Sequence, residues 1–536
     1  MLNSLDLGVI GFYFLLVFGV AAWATFREKS QNLSEDYFLG GRNLGWFVIG
    51  ASLFASNIGS EHLIGLAGSG FNNGVPEAQY EILAGLILLI LGWVFVPFYI
   101  KSGVATMPEF LEKRFSPAAR GYLSWVSILS YVLTKISVTI LAGGVVFEVI
   151  GLNFWIGAIV LVIATGIYTI FGGLKAVVYT DMIQMFVLLF GSLAVTWFGL
   201  EALGGTDQLF AALEDTEIFN LWKAADHPDF PWTGMLFGAP ILGVWYWCTD
   251  QFIVQRVLSA KNMDNARKGT IFAGYLKMLP LFLFVVPGIV AAALVAKGQL
   301  EITDSNKTLP ILVQAVLPHG LIGLVVAGLF AALMSSLSSV FNSSSTLITL
   351  DIYKKYKPKA TERELVIAGQ LAVVVLVVFG MLWTTVIKLY STGLFSYIQK
   401  IQAYISPPIA AVFLLGLFFR RLNAKGAMAS FIVGFVLGAA RLAMEPFKDD
   451  LGGIFHYYVD VNFLHFAIFL FLVCSVVLVV VSLLTPAQPL AQIEELTYGS
   501  KSEANTQPTN KSNVVLSLLL VVIVLILWYI MSPAFL

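Results

Sequence analysis

The sequence predicts an all-α integral membrane protein, and three observations carry that reading. Of its 536 residues, 58% are hydrophobic and 12% charged, and the mean hydropathy is +0.86; a soluble globule carries about twice that charged fraction. Apolar runs of about 18 residues or more recur along the chain, each long enough to cross a bilayer. Basic residues collect in alternate connections between those runs, as expected where one side faces the cytoplasm. The net charge of −1 excludes the basic footprint that nucleic-acid binding requires. Both cysteines, Cys248 and Cys474, lie in apolar runs, which argues against a disulfide framework.

Taken in order, the runs are 6–27, 46–70, 79–100, 118–149, 154–171, 177–200, 235–256, 268–296, 314–350, 364–391, 396–419, 425–443, 461–485 and 513–533, which gives fourteen expected transmembrane helices. The first lacks a positively charged leader, so it reads as a retained helix rather than a cleaved signal. The second holds Ser56-Asn57-Ile58-Gly59-Ser60-Glu61-His62 in its middle. A continuous lipid-facing helix does not tolerate such a run, because each unpaired polar group in hydrocarbon costs several kcal/mol. The third carries Glu81 and the fourth Lys135; the sixth carries Asp181 near its start. The seventh is interrupted by Trp245-Tyr246-Trp247-Cys248-Thr249-Asp250-Gln251, and the eighth carries Lys277. Residues 486–512, with Pro486, Pro489 and many polar residues, read as a linker before the last helix.

Orientation follows from the connections. Arg27, Lys29 and Arg42 follow the first span, and Lys101, Lys113 and Arg114 the third. Arg256, Lys261, Arg267 and Lys268 follow the seventh, Lys354, Lys355, Lys357, Lys359 and Arg363 the ninth, and Arg420, Arg421 and Lys425 the eleventh. The connection after the sixth is acidic, with Asp207, Glu214, Asp215, Glu217, Asp226 and Asp229. Both termini are therefore expected outside the cytoplasm. The two polar-interrupted spans lie five spans apart, the pattern of an inverted-repeat secondary transporter with its site near the midplane.

The ninth span supplies oxygens. Ala332, Ser335 and Ser336 share one helix face, and Ser335, Ser338 and Ser339 repeat the spacing one turn on. Hydroxyls and carbonyls suit sodium, a hard cation; small residues also serve close helix packing. Asp181 is an intramembrane carboxylate, a functional candidate by default, with snorkelling to the interface as the bland alternative. Glu81 and Lys277 balance in charge, which suits a neutral solute, or they form a structural ion pair. His62, Gln399 and Asn57 add uncharged donors and acceptors, while Trp245, Tyr246, Trp247, Tyr80, Phe395 and Tyr397 offer flat faces to a sugar ring. Enzyme readings fare poorly: the sequence has no H-E-x-x-H, its histidines lack metal-ligand spacing, and no phosphate-binding G-x-x-x-x-G-K-[ST] loop is present.

These residues resemble the sodium/glucose cotransporter branch of the solute:sodium symporters. The matching blocks are Ala51 to Gly70, Gly172 to Gln184, Trp245 to Arg256, Ala331 to Tyr353 and Tyr397 to Leu417, and the similarity runs from about residue 6 to residue 485. The resemblance implies a LeuT-type five-plus-five inverted-repeat core whose first helix in each repeat is broken. It divides the chain into a flanking helix at 1–30, repeats at 46–204 and 232–422, flanking helices at 423–485, the linker 486–512 and a last helix at 513–536.

Carried over by position, a first sodium site comprises carbonyls of Ala55, Ile58 and Ala332 with hydroxyls of Ser335 and Ser336. A second comprises Asp181, Ser335, Ser338 and Ser339. The sugar site comprises Asn57, His62, Glu81, Tyr246, Trp247, Lys277 and Gln399; Leu66, Tyr80 and Phe395 match the outer gate and Tyr246 the inner one. The implied activity is symport of a neutral hexose such as galactose or glucose with two sodium ions, without a cofactor beyond sodium or an obligatory protein partner. The chain's compactness resembles bacterial members, so a multi-pass position in an inner membrane is expected. Ile82-Leu83-Ala84, Gly243 and Ser396 depart from the sugar-carrying pattern. They leave myo-inositol, sialate or an amino acid as alternative solutes, and a non-transporting sugar receptor as an alternative class. Glu61 and Lys135 receive no role.

Overall fold

The computed structural model describes residues 2–26, 33–149, 151, 153–214, 216–390, 394–498 and 510–535. Arg27 and Lys29 of the first basic connection, residues 499–509 of the linker, and the side chains of Glu61 and Phe395 lie outside the described residues. Among those described, the named elements are all helical, with isolated bridges at Leu44–Ala260 and Lys223–Pro231.

Eleven helices are long and apolar enough to cross a membrane, and the difference from the fourteen expected has a physical origin. Segments 154–171 and 177–200 join into the single run Phe154–Leu203, which bends at Gly173. The bend has φ 56° and ψ −154°, a conformation open to glycine, and a Cβ there would lie 2.5 Å from the carbonyl oxygen of Tyr37. The two polar-interrupted segments divide into pieces too short to count alone.

The first division follows from local chemistry. Trp46–Asn57 ends as Ile58 and Gly59 turn extended, and Ser60–Asn73 begins anew. The Gly59 amide leaves the helical pattern to meet Asn57 O at 3.0 Å and His62 Nδ1 at 3.3 Å. Carbonyls of the last turn are thereby released from intrahelical bonding. In the second division, the chain widens to π-turns over Val244–Thr249 and becomes extended at Asp250. The Asp250 carboxylate then caps helix Gln251–Leu258 by accepting from the Phe252 amide at 3.2 Å.

Packing draws both breaks together. Leu321–Thr346, the serine helix, is buried over most of its length and packs along Phe154–Leu203. Trp46–Asn57 packs against both of these, and Gln251–Leu258 rests on Trp46–Asn57 and on the serine helix. Ser4–Phe26 and Lys511–Ile530 are peripheral, with most of their apolar side chains outward. The result is a helical body with an apolar exterior and a largely apolar core, whose polar groups are gathered inside, away from lipid.

Candidate ion and solute sites

The serine helix meets the first break. Ser335 Oγ donates to Ala55 O at 2.9 Å, with Ala332 O at 3.1 Å on its other side, and Ser336 Oγ reaches Ser56 O at 3.5 Å. Ala55, Ala332, Ser335 and Ser336 are thus brought together, all buried. Ile58 is buried at the break itself. These oxygens form a small uncharged cluster of the hard donors that sodium prefers.

One turn further on, the arrangement differs from the expected second cluster. Asp181 Oδ2 accepts from Ser52 Oγ at 2.6 Å and Ser56 Oγ at 3.0 Å, and lies 3.6 Å from the Arg256 guanidinium. Arg256 also donates to Ser339 Oγ and, at 2.8 Å, to Ser52 Oγ. Asp181 is therefore a fully buried, paired carboxylate rather than a snorkelling one, and a guanidinium stands between it and Ser339. Ser338 Oγ turns to Ser335 O at 3.1 Å. Asp181 Oδ1, also buried, accepts no hydrogen bond from the described protein.

Sequence reasoning placed Arg256 in a basic connection, yet it is 0% exposed; its signal was its position at the end of a matching block. Arg114, placed likewise, is buried and donates to the carbonyls of Gly416, Phe419 and Leu422. Ser52 and Ser56 were also missed as site residues, although their i, i+4 spacing puts them on one face.

Beside the break lies a cavity of about 780 Å³, counting the part open to solvent. Asn57, His62, Glu81, Tyr246, Trp247 and Gln399 all line it, with Tyr80. Lys277 does not line it. That ammonium is 1% exposed and sits behind the wall, donating to Asn57 Oδ1 and pairing with Glu81. Asn57 Nδ2 in turn donates to Tyr246 OH at 3.1 Å, and His62 Nε2 lies 3.6 Å from Glu81 Oε1. Lys277 thus fixes the rotamers of the two side chains that face the cavity. Leu66 and Trp245 are buried and away from the lining, and Tyr397, half-buried and also off the lining, turns its hydroxyl to Leu133 O at 3.3 Å.

Several lining groups were not anticipated. Thr134 and Lys135 come from the fourth span and Gln402 from the eleventh. Lys135 Nζ stands 4.1 Å from the Tyr246 ring centre and 3.9 Å from that of Phe252, within cation–π range, and 3.9 Å from Asp250. Leu83, Ala84, Ile87 and Gly243 make one wall apolar. A side chain at Gly243 would collide with Ile87. The cavity therefore pairs a polar side with an aromatic and aliphatic side, the general construction of a small-molecule site.

Comparisons with known proteins agree in kind. The profile of the sodium:solute symporter family matches residues 37–434. Sodium/glucose cotransporter 1 of Oryctolagus cuniculus is 40% identical, over 93% of this chain and 82% of its own length. The sodium/myo-inositol cotransporter of Canis lupus familiaris is 39% identical, over 94% of this chain and 76% of its own. Among solved structures, a substrate-bound, outward-open sodium-coupled sialic acid symporter superposes with a TM-score of 0.79 at 22% identity, covering 91% of this chain and 99% of the other. That likeness places the fold in the LeuT-type class.

Proposed function

We propose that this chain, which belongs to the sodium:solute symporter family, couples sodium entry to the import of a neutral sugar by alternating access. The observation that carries this reading is the sharing of one helix break by two polar sites. Ala55 O faces the serine helix at the ion cluster, and two residues later Asn57 reaches into the cavity. Sodium held by Ala55, Ile58 and Ala332 carbonyls and by Ser335 and Ser336 hydroxyls would order the break. Ordering it fixes Asn57 and His62 for the solute. Linkage then makes the solute raise sodium affinity by the same factor.

A hexose such as galactose or glucose fits the charge balance, since Lys277 neutralises Glu81 and leaves no net charge to select an ion. Asn57, His62, Glu81 and Gln399 would hydrogen-bond its hydroxyls, and Trp247 and Tyr246 would flank its ring. A cyclic polyol such as myo-inositol is the second reading, favoured by the apolar wall of Leu83, Ala84 and Gly243. One missing polar contact on that wall changes discrimination among hydroxylated rings.

Two sodium ions per sugar would use Asp181, Ser335, Ser338 and Ser339 for the second ion, whose arrival requires the Arg256 guanidinium to leave Ser339. Tyr80, Leu66 and Phe395 would close the outer side and Tyr246 the inner one. The inverted repeats would span 46–204 and 232–422, with 1–30, 423–485 and 513–536 flanking them and 486–512 as linker. Both termini would face away from the cytoplasm of a bacterial inner membrane. Competition by galactose, glucose, myo-inositol, sialate and proline in one sodium-driven uptake assay tests the assignment. Displacement by galactose and glucose supports it, displacement by myo-inositol alone favours the polyol, and displacement by sialate or proline alone overturns both.

A further inference from the structure

We infer that the polar stripe running down the serine helix beyond the ion cluster is the route by which sodium leaves for the cytoplasm, with Asn342 as its first relay ligand. The inference rests on the symport reading above. Residues Ser335, Ser338, Ser339, Asn342, Ser345, Thr346 and Thr349 recur at three- and four-residue intervals, so they share one face. All are buried. The first three belong to the ion clusters already described; the remainder lead away from them toward the basic connection at Lys354, Lys355, Lys357 and Lys359, the cytoplasmic side by charge.

Small residues on such a face can serve packing alone, but hydroxyls that only pack satisfy themselves on the preceding turn. Thr346 does so, donating to Asn342 O at 2.8 Å. Its neighbours do not, nor do Ser343 and Ser344 on the adjoining face. Asn342 is 2% exposed, yet neither its Oδ1 nor its Nδ2 has a partner in the described protein, nor do Ser345 Oγ and Thr349 Oγ1. Gln255, whose Nε2 donates to Thr346 Oγ1 at 2.8 Å, leaves its Oε1 unmet beside them. So many unmet polar atoms inside a membrane body demand water or an ion. Uncharged oxygens suit a path, because each is favourable enough to accept sodium and weak enough to release it.

The far end holds a buried carboxylate paired with Arg120. Asp351 Oδ1 accepts from Arg120 Nε at 2.6 Å and from Thr106 Oγ1 at 2.9 Å, and its Oδ2 accepts no hydrogen bond from the described protein. The helix widens to π-turns over Leu347–Tyr353, a distortion frequent at functional sites. In this conformation the route is closed by Glu362–Tyr390, which approaches at Gly369. A Cβ there would run into Ser345 Oγ and lie 3.1 Å from Thr349 Oγ1. Separation of these two helices opens the stripe to water.

The test uses the full chain in proteoliposomes with galactose as solute, comparing Asn342→Leu and Asn342→Ser with the unaltered protein. Equilibrium sodium binding and galactose exchange at equal high sodium on both faces do not require sodium release; net uptake down a sodium gradient does. Asn342→Leu should keep sodium affinity within about twofold and exchange near normal, while net uptake slows about tenfold; Asn342→Ser should recover part of that loss. Equal loss of exchange and net uptake, a matching loss of sodium affinity, or unchanged net uptake would each overturn the route. Should Asn342→Leu not fold, Asn342→Ser and Thr349→Val give the same comparison. If the unaltered chain moves neither galactose nor myo-inositol with sodium, the symport reading fails, and the route with it.

Discussion

Replacing Lys277 by Met isolates the ion pair behind the cavity wall. Lys277 and Glu81 are 1% and 4% exposed, so the substitution leaves a carboxylate buried with His62 Nε2, 3.6 Å away, as its basic neighbour among the described residues. Removing one partner of a buried pair costs about 3–5 kcal/mol, whereas replacing both by neutral groups is close to neutral. Lys277→Met should therefore lower the melting temperature of the detergent-purified protein, and Lys277→Met/Glu81→Gln should recover at least half of that loss.

Solute binding should not recover in step. Glu81 is itself a cavity residue, and a hydrogen bond to a charged group contributes about 1.5–3 kcal/mol, so the double variant should bind sugar about 10- to 100-fold more weakly. A double variant as unstable as the single one would refute the pair as the source of the cost. A double variant with unchanged sugar affinity would refute the placement of Glu81 against the solute.

Four further outcomes are expected. Ser336→Ala should raise the sodium concentration for half-maximal uptake by about tenfold, the loss of one oxygen ligand of roughly 1.4 kcal/mol, seen in sodium titrations at saturating sugar. Gln399→Ala should weaken sugar binding by about tenfold and sodium binding much less, measured by equilibrium binding of each. Asp181→Asn should turn a sigmoidal sodium dependence of uptake hyperbolic, because it removes the carboxylate proposed to hold a second sodium beside Arg256. Gly288→Ala should lower folded yield in size-exclusion profiles: its Cβ would meet Ala67 O and stand 2.8 Å from Phe71 N, backbone that has nowhere to move, at a cost of about 1–3 kcal/mol.

Much of the architecture was legible because lipid makes polar residues expensive. The run Ser56 to His62 announced a helix break, and the break sits at Ile58 and Gly59. The serine spacing announced a face, and that face meets the break. What sequence spacing does not reveal is which distant group neutralises a buried charge. Glu81 and Lys277 were read as a possible ion pair and the pair is there, but spacing did not show that Lys277 stands behind Asn57 and Glu81, residues 220 and 196 positions away, and off the cavity lining. Arg256 was counted with the loop cations because charge counting assigns arginines to connections, whereas Asp181 makes its burial tolerable. Lys135 had no reading because its partners, Tyr246, Phe252 and Asp250, come from a distant segment. Fourteen spans became eleven countable helices because hydropathy does not distinguish a glycine bend from a loop, as at Gly173, and because the two broken spans divide into short pieces.

The central claim, that sodium flow drives solute accumulation through sites sharing one helix break, is tested most directly in sealed proteoliposomes holding the purified chain. Radiolabelled galactose should accumulate inside above its outside concentration under an inward sodium gradient, and the accumulation should collapse when that gradient is dissipated. Binding of galactose without accumulation, as a receptor would show, or uptake indifferent to the sodium gradient would contradict it.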